Sequence, residues 1–164
     1  MRRLLTSLSL GFAVALMPAS LLAFSLNAKK APESAEDLMM IQEALQAALP
    51  KAKAATIGID LGDGSGSGVI VSKDGLVMTA AHVSGGVGKD VEVVMPDGSK
   101  LKAETLGLMA ETDAALIQIT EENPDGGDFP FVEVNKTDEA KLGDWIFSLG
   151  HSGGFDKERG VVVR

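Results

Sequence analysis

Two stretches of this chain carry side chains that can move or hold protons. Thr79-Ala80-Ala81-His82-Val83 presents an imidazole, and Thr112-Asp113-Ala114-Ala115-Leu116 presents a carboxylate 31 positions further on. An imidazole titrates near neutrality, so it can accept and return a proton at physiological pH. A carboxylate can take a hydrogen bond from one ring nitrogen and leave the other free. Taken alone, each residue has a plainer reading: a structural histidine at a strand end and a turn aspartate. A third stretch, Gly150-His151-Ser152-Gly153-Gly154, adds a second histidine and a hydroxyl. The absence of cysteine excludes thiol catalysis and cysteine-bound metal, and two histidines in all argue against a zinc site. The run from Gly62 to Gly68 lacks the Gly-Lys-Ser/Thr ending of a phosphate loop and leads into a strand, not a helix. Asp60 and Asp63 do not have the spacing of a calcium loop.

With 164 residues the chain is long enough for one domain with a real core. It is 45% hydrophobic but only 4% aromatic, with 19 glycines, a profile that suits a β-rich domain of Val, Ile and Leu with many tight turns. A formal charge of −8 with no basic stripe argues against nucleic acid, because phosphate binding needs clustered Lys and Arg. Residues 1–28 read as a secretory signal peptide: Arg2 and Arg3 open it, Leu4 to Leu16 form the apolar run, and Pro18 breaks it. Cleavage after Ala23 or Ala28 fits equally well. Uncleaved, the same segment would be a membrane anchor. An exported chain without cysteine must be held by core packing, not by disulfides.

The elements that must position these residues are legible in the periodicity. Residues 29–50 read as a polar linker and a helix from Ser34 to Leu49, with Ser34 as N-cap, Glu36 and Asp37 in the first turn, and Pro50 closing it. Leu38, Ile41, Leu45 and Leu49 share one face, so the helix is expected to dock on the domain, or alternatively to bind a partner. Short apolar runs follow at Thr56–Leu61, Gly68–Val71, Leu76–Thr79, Val91–Met95, Lys100–Leu108 and Ala114–Ile119, separated by glycine-rich or Asp-Gly turns. Pro96-Asp97-Gly98-Ser99 marks a hairpin. Six such runs predict a small antiparallel barrel over residues 51–120. An acidic loop, Glu121 to Asp128, then separates three further expected strands at Phe131–Val134, Trp145–Leu149 and Val161–Val163. These read as the start of a second unit over residues 121–164, with Trp145 as a core or interface anchor. Unpaired edges there predict poor solubility.

The run from Gly66 to Val83 closely resembles the HtrA/Deg family of trypsin-like serine proteases. So do Asp113-Ala114-Ala115-Leu116-Ile117 and Leu142-Gly143-Asp144-Trp145 leading into Ser148-Leu149-Gly150-His151. The resemblance implies an all-β, chymotrypsin/trypsin-like double barrel, here the first barrel and the start of the second behind an N-terminal helix. It implies His82 as general base and Asp113 as its orienting partner. Ser152 imitates the family's nucleophile motif but is a poor match. It lies only 39 residues beyond Asp113, it is followed by Phe155 where the family has proline after its Ser-Gly-Gly, and it falls where the family carries a glycine-rich turn. By resemblance the nucleophile belongs well into the second barrel, so neither it nor its oxyanion hole is expected within these residues.

The function implied is therefore that of a serine endopeptidase of protein quality control in its complete form, exported to the periplasm or secreted. Unfolded or misfolded proteins are the implied substrates, and no metal or organic cofactor is implied. Family members commonly form trimers and often carry PDZ domains. On this reading the present chain is an N-terminal portion that is inactive alone. The alternative is a non-catalytic, protease-like binding or regulatory module, and a compact triad using Ser152 is a third.

Overall fold

The computed structural model describes residues 31–62, 64–136 and 140–164. The signal-peptide reading of residues 1–28 lies outside them. Helix α1 spans Ala35–Ala55, followed by strands β1 (Thr56–Asp60), β2 (Ser65–Ile70) and β3 (Leu76–Thr79) and a one-turn helix α2 (Ala81–Ser84). Strands β4 (Asp90–Val94), β5 (Lys100–Met109) and β6 (Ala114–Ile119) come next, then the short pair β7 (Leu149–Gly150) and β8 (Val162–Val163).

The first six strands close into an antiparallel barrel in the order β1-β2-β3-β6-β5-β4, with β4 returning to pair with β1. Strand alternation explains the closure, because the strands turn aliphatic or β-branched side chains inward, β2 contributing Ile70 beside two glycines. Ile57, Ile59, Ile70, Val77, Val93 and Ile117 are at most 1% exposed, and Val91, Leu101, Ala103 and Ile119 complete the same core. On the outer surface at the closing seam, Asp60 stands opposite Glu92, and the Lys100 ammonium bridges the two carboxylates. Without it, two like charges would face each other across the pair. The β4–β5 hairpin turns at Gly98 (φ 92°), with the Asp97 carboxylate accepting from the Ser99 N–H and hydroxyl.

Two expectations need correction. Helix α1 does not stop at Leu49 but runs through Pro50 to Ala55. Proline removes one backbone donor, to the carbonyl of Gln46, yet Lys51-Ala52-Lys53-Ala54-Ala55 are strong helix formers that continue the turn. The end comes at Thr56, whose N–H bonds the Lys53 carbonyl and whose hydroxyl bonds that of Ala52. The expected apolar face is covered in part: Leu38 is 57% exposed, Ile41, Leu45 and Leu49 are partly buried, and Asp37 and Ala55 are buried. The Ser34 cap is as expected, its hydroxyl accepting from the Asp37 N–H.

The second correction concerns residues 131–134, which form no strand; the Val132 N–H bond to the Ile70 carbonyl lays them along β2. Of Trp145–Leu149 only Leu149 is in a strand, and Trp145 and Ile146 point outward, about half and almost fully exposed. The edges anticipated for this region are those of the two-stranded β7–β8 sheet, while the six-stranded barrel is closed. The Glu121–Asp128 loop ends on an unanticipated core residue, Phe129, which is 6% exposed and packs over the β2–β3 turn. Among the described residues no helix is long and apolar enough to cross a membrane.

Candidate active site

His82 and Asp113 are brought together by one strand pairing. Strands β3 and β6 are antiparallel neighbours with Thr79 opposite Ala115. Continuing forward from Thr79 and backward from Ala115 therefore leads to the same end of the barrel. There α2 carries His82, and the β5–β6 turn carries Asp113. The α2 turn is made by Val83 and Ser84 N–H bonds to the Ala80 carbonyl and is ended by Gly85 in the left-handed region (φ 68°). Ser84 is fully buried, its hydroxyl donating to the Ala81 carbonyl. Below the turn, the Thr79 hydroxyl donates to the Ser67 carbonyl at 2.8 Å.

Asp113 holds His82 twice. Its Oδ1 accepts the His82 backbone N–H at 3.0 Å, and its Oδ2 lies 2.7 Å from His82 Nδ1. The His82 N–H is the largest cause that holds the Asp113 carboxyl below the usual carboxylate range, followed by the ring bond, with the Ala81 N–H adding a little. Asp113 is accordingly ionised at neutral pH and can only accept. The shared proton must then sit on Nδ1, leaving the Nε2 lone pair as the basic site. Asp113 adopts φ 51°, a left-handed conformation that aspartate tolerates better than most residues, at the end of a turn in which its N–H bonds the Ala110 carbonyl. Both side chains are open to water, His82 73% and Asp113 53% exposed. The bond is thus screened, and burial by anything placed over it would strengthen it.

A trypsin-like peptidase domain matches residues 66–164, well over half of the chain. The chain belongs to that family. The putative serine protease HhoB of Synechocystis is 38% identical over 93 residues, covering 57% of this chain and 21% of its own length. Proteins named probable periplasmic serine endoprotease DegP-like are 35% identical in Pseudomonas savastanoi and 36% identical in Rickettsia conorii, over 59% and 52% of this chain. The chain spans only 19% and 16% of those two relatives. As a trypsin-like domain it is an all-β barrel of the double-barrel class with an N-terminal helix, and its named relatives are HtrA/DegP-like serine proteases.

Ser152 is exposed on the turn between β7 and β8, and among the described residues no hydrogen bond joins it to His82. In this trypsin-like domain the segment that carries it is pinned to the barrel from the other side of β2: the His151 N–H donates to the Ser67 hydroxyl at 2.8 Å. His151, at the turn that carries Ser152, is 4% exposed and stacked at a tilt on Phe155, with centroids 5.0 Å apart. Neither ring nitrogen has a hydrogen-bond partner of good geometry. Burial pushes its pKa below the ordinary histidine value, the Thr56 backbone opposes the shift, and the Arg159 charge adds to it. Val83, Gly66 and Ser67 also belong to the support of the site, although as residue types they carry no chemistry. The available signal was the strict alternation Ser65-Gly66-Ser67-Gly68, which at strand period puts two glycines on one face and two serines on the other. Among the described residues no cluster of His, Asp or Glu has the makings of a metal site.

Proposed function

We propose that this chain supplies the general base and the orienting carboxylate of a serine-type endopeptidase, His82 and Asp113 respectively. The observation that supports this is the 2.7 Å contact between His82 Nδ1 and Asp113 Oδ2, made on the frame of a trypsin-like domain. In this mechanism Nε2 takes the proton of an attacking serine hydroxyl as the acyl–oxygen bond forms. The imidazolium so produced is stabilised by Asp113 and hands the proton to the leaving amine. Neither the nucleophile nor the oxyanion donors are assigned to the described residues, and Ser152 is given no part. Residues 51–120 are the first barrel in this reading, and residues 121–164 are the connection and part of a second. Residues 1–28 serve as an export signal, placing the protein in the periplasm or beyond. Unfolded polypeptides are the substrate class, and a trimer is the assembly. The names of the relatives support export and proteolysis.

The natively expressed protein, wild type and His82→Ala, tests the proposal by casein hydrolysis and labelling with a serine-directed fluorophosphonate. His82→Ala should lose both, activity falling by about 10⁴-fold or more. Equal turnover in the two proteins sinks the reading, and a label mapped to Ser152 replaces it with a compact triad.

A further inference from the structure

Strand β2 has a job that its glycine-rich sequence conceals. Its residues alternate between the two sides of the sheet. Ser67 holds the His151 N–H, and the Ser65 hydroxyl lies against Gly154. Gly66 and Gly68 face the opposite way. A Cβ on Gly68 would meet the core at Val77 Cγ1 (2.6 Å), with Ile59 and Ile57 just beyond. A Cβ on Gly66 would meet something different: Val83 Cγ1 at 2.2 Å, Cγ2 at 2.9 Å and Cβ at 3.1 Å. Such distances are impossible between real side chains, so residue 66 must lack a side chain for Val83 to sit where it does. Gly66 is not among the glycines of positive φ, so what it contributes is space, not backbone freedom.

Val83 is the residue after His82 on the α2 turn, and it packs against the barrel core. The His82 side chain is itself mostly in solvent and touches the fold through Asp113. The turn is therefore anchored by Val83 on one side and by the buried Ser84 on the other. Moving Val83 outward by the ångström or more that a methyl at residue 66 demands would carry His82 with it. A hydrogen bond of 2.7 Å does not survive a displacement of that size.

We propose that Gly66 is a positioning residue for His82, acting through the socket it leaves for Val83. This rests on the reading of His82 as the base but concerns only how its imidazole is placed. The test is a rescue cycle read by ring ¹⁵N shifts of His82 in the histidine-labelled chain, at a pH where imidazole is neutral. Wild type should show the proton on Nδ1. Gly66→Ala should lose that tautomer preference, and the His82 amide should lose the signature of its bond to Asp113. Gly66→Ala combined with Val83→Ala should restore both, because trimming the Cγ atoms makes room for the new methyl. Gly68→Ala is the control: it crowds the core and lowers the melting temperature, yet the folded molecules keep the Nδ1 proton.

If Gly66→Ala alone does not fold, recovery of folding and tautomer in the double variant is the same rescue. A double variant no better than Gly66→Ala, or a Gly68→Ala that loses the tautomer equally, overturns the proposal. Turnover is not the readout. A wild-type protein without protease activity that still shows the rescue would refute the endopeptidase reading and leave the socket standing.

Discussion

Asp113 takes its position from β6, so the packing of that strand can be tested by substitutions on its two faces and across the pair. Ile117 is fully buried, and it stands opposite Thr105 on β5. One residue past Thr105 the register shifts at a bulge, and Leu106 is turned outward with 47% exposure. Ile117→Ala removes three fully buried carbons, about 2.4 kcal/mol at roughly 0.8 kcal/mol each. The void left in a closed barrel cannot fill with water, which raises the cost to about 3–4 kcal/mol. Leu106→Ala removes the same number of carbons from a side chain already half in water. No cavity forms there, so the cost is about 1 kcal/mol. Urea unfolding of the two variants and wild type, with the slope m unchanged, gives both differences. The expected gap is about 2 kcal/mol or more. A gap below about 1 kcal/mol would mean that Ile117 is not in the barrel interior, and the register placing Asp113 beside His82 would fall with it.

Two further measurements follow. Gly75 closes the β2–β3 turn at φ 84° with Phe129 packed on it, so Gly75→Ala should cost at least about 1–2 kcal/mol for the left-handed backbone alone; no loss in urea stability contradicts the turn. His151 is held neutral by burial, its folded pKa lying below the unfolded one, so its contribution is present above the unfolded histidine range and is lost as pH falls through the folded value. Wild type should therefore lose more stability between about pH 8 and pH 5 than His151→Phe does, and equal losses would show that the ring is not shielded.

Local signals served well where the local pattern decides the outcome. Leu76–Thr79 and Ala114–Ile119 are strands with the bounds the apolar runs suggest, and the Pro96-Asp97-Gly98-Ser99 turn lies between β4 and β5. The family resemblance pairs the histidine with the aspartate as base and orienting partner, whereas spacing alone does not, since their meeting depends on Thr79 pairing with Ala115. Other features needed tertiary information. Pro50 was read by its intrinsic preference, whereas the alanine-rich turn beyond it carries the helix on. Helical spacing on α1 names one face, but not that its first residue, Leu38, stays 57% exposed while Ile41, Leu45 and Leu49 are partly buried. His151 sits in a glycine-rich turn sequence, and only the Ser67 hydroxyl 84 residues away reveals that the turn is pressed inward. Gly66 was invisible for a similar reason: a residue whose purpose is an absent atom shows itself only when its neighbour is seen.

The closing pair between β1 and β4 has a consequence for fidelity. In an open sheet a strand can slide against one neighbour and let the free edge absorb the error. A face-preserving slip moves it by two residues, about 7 Å. In a ring of six strands a slip between β3 and β6 would have to be matched all the way round, through β5, β4, β1 and β2. The separation of His82 and Asp113 is thus geared to every ladder in the barrel at once, and the molecule has no intermediate setting in which the two residues are almost in place.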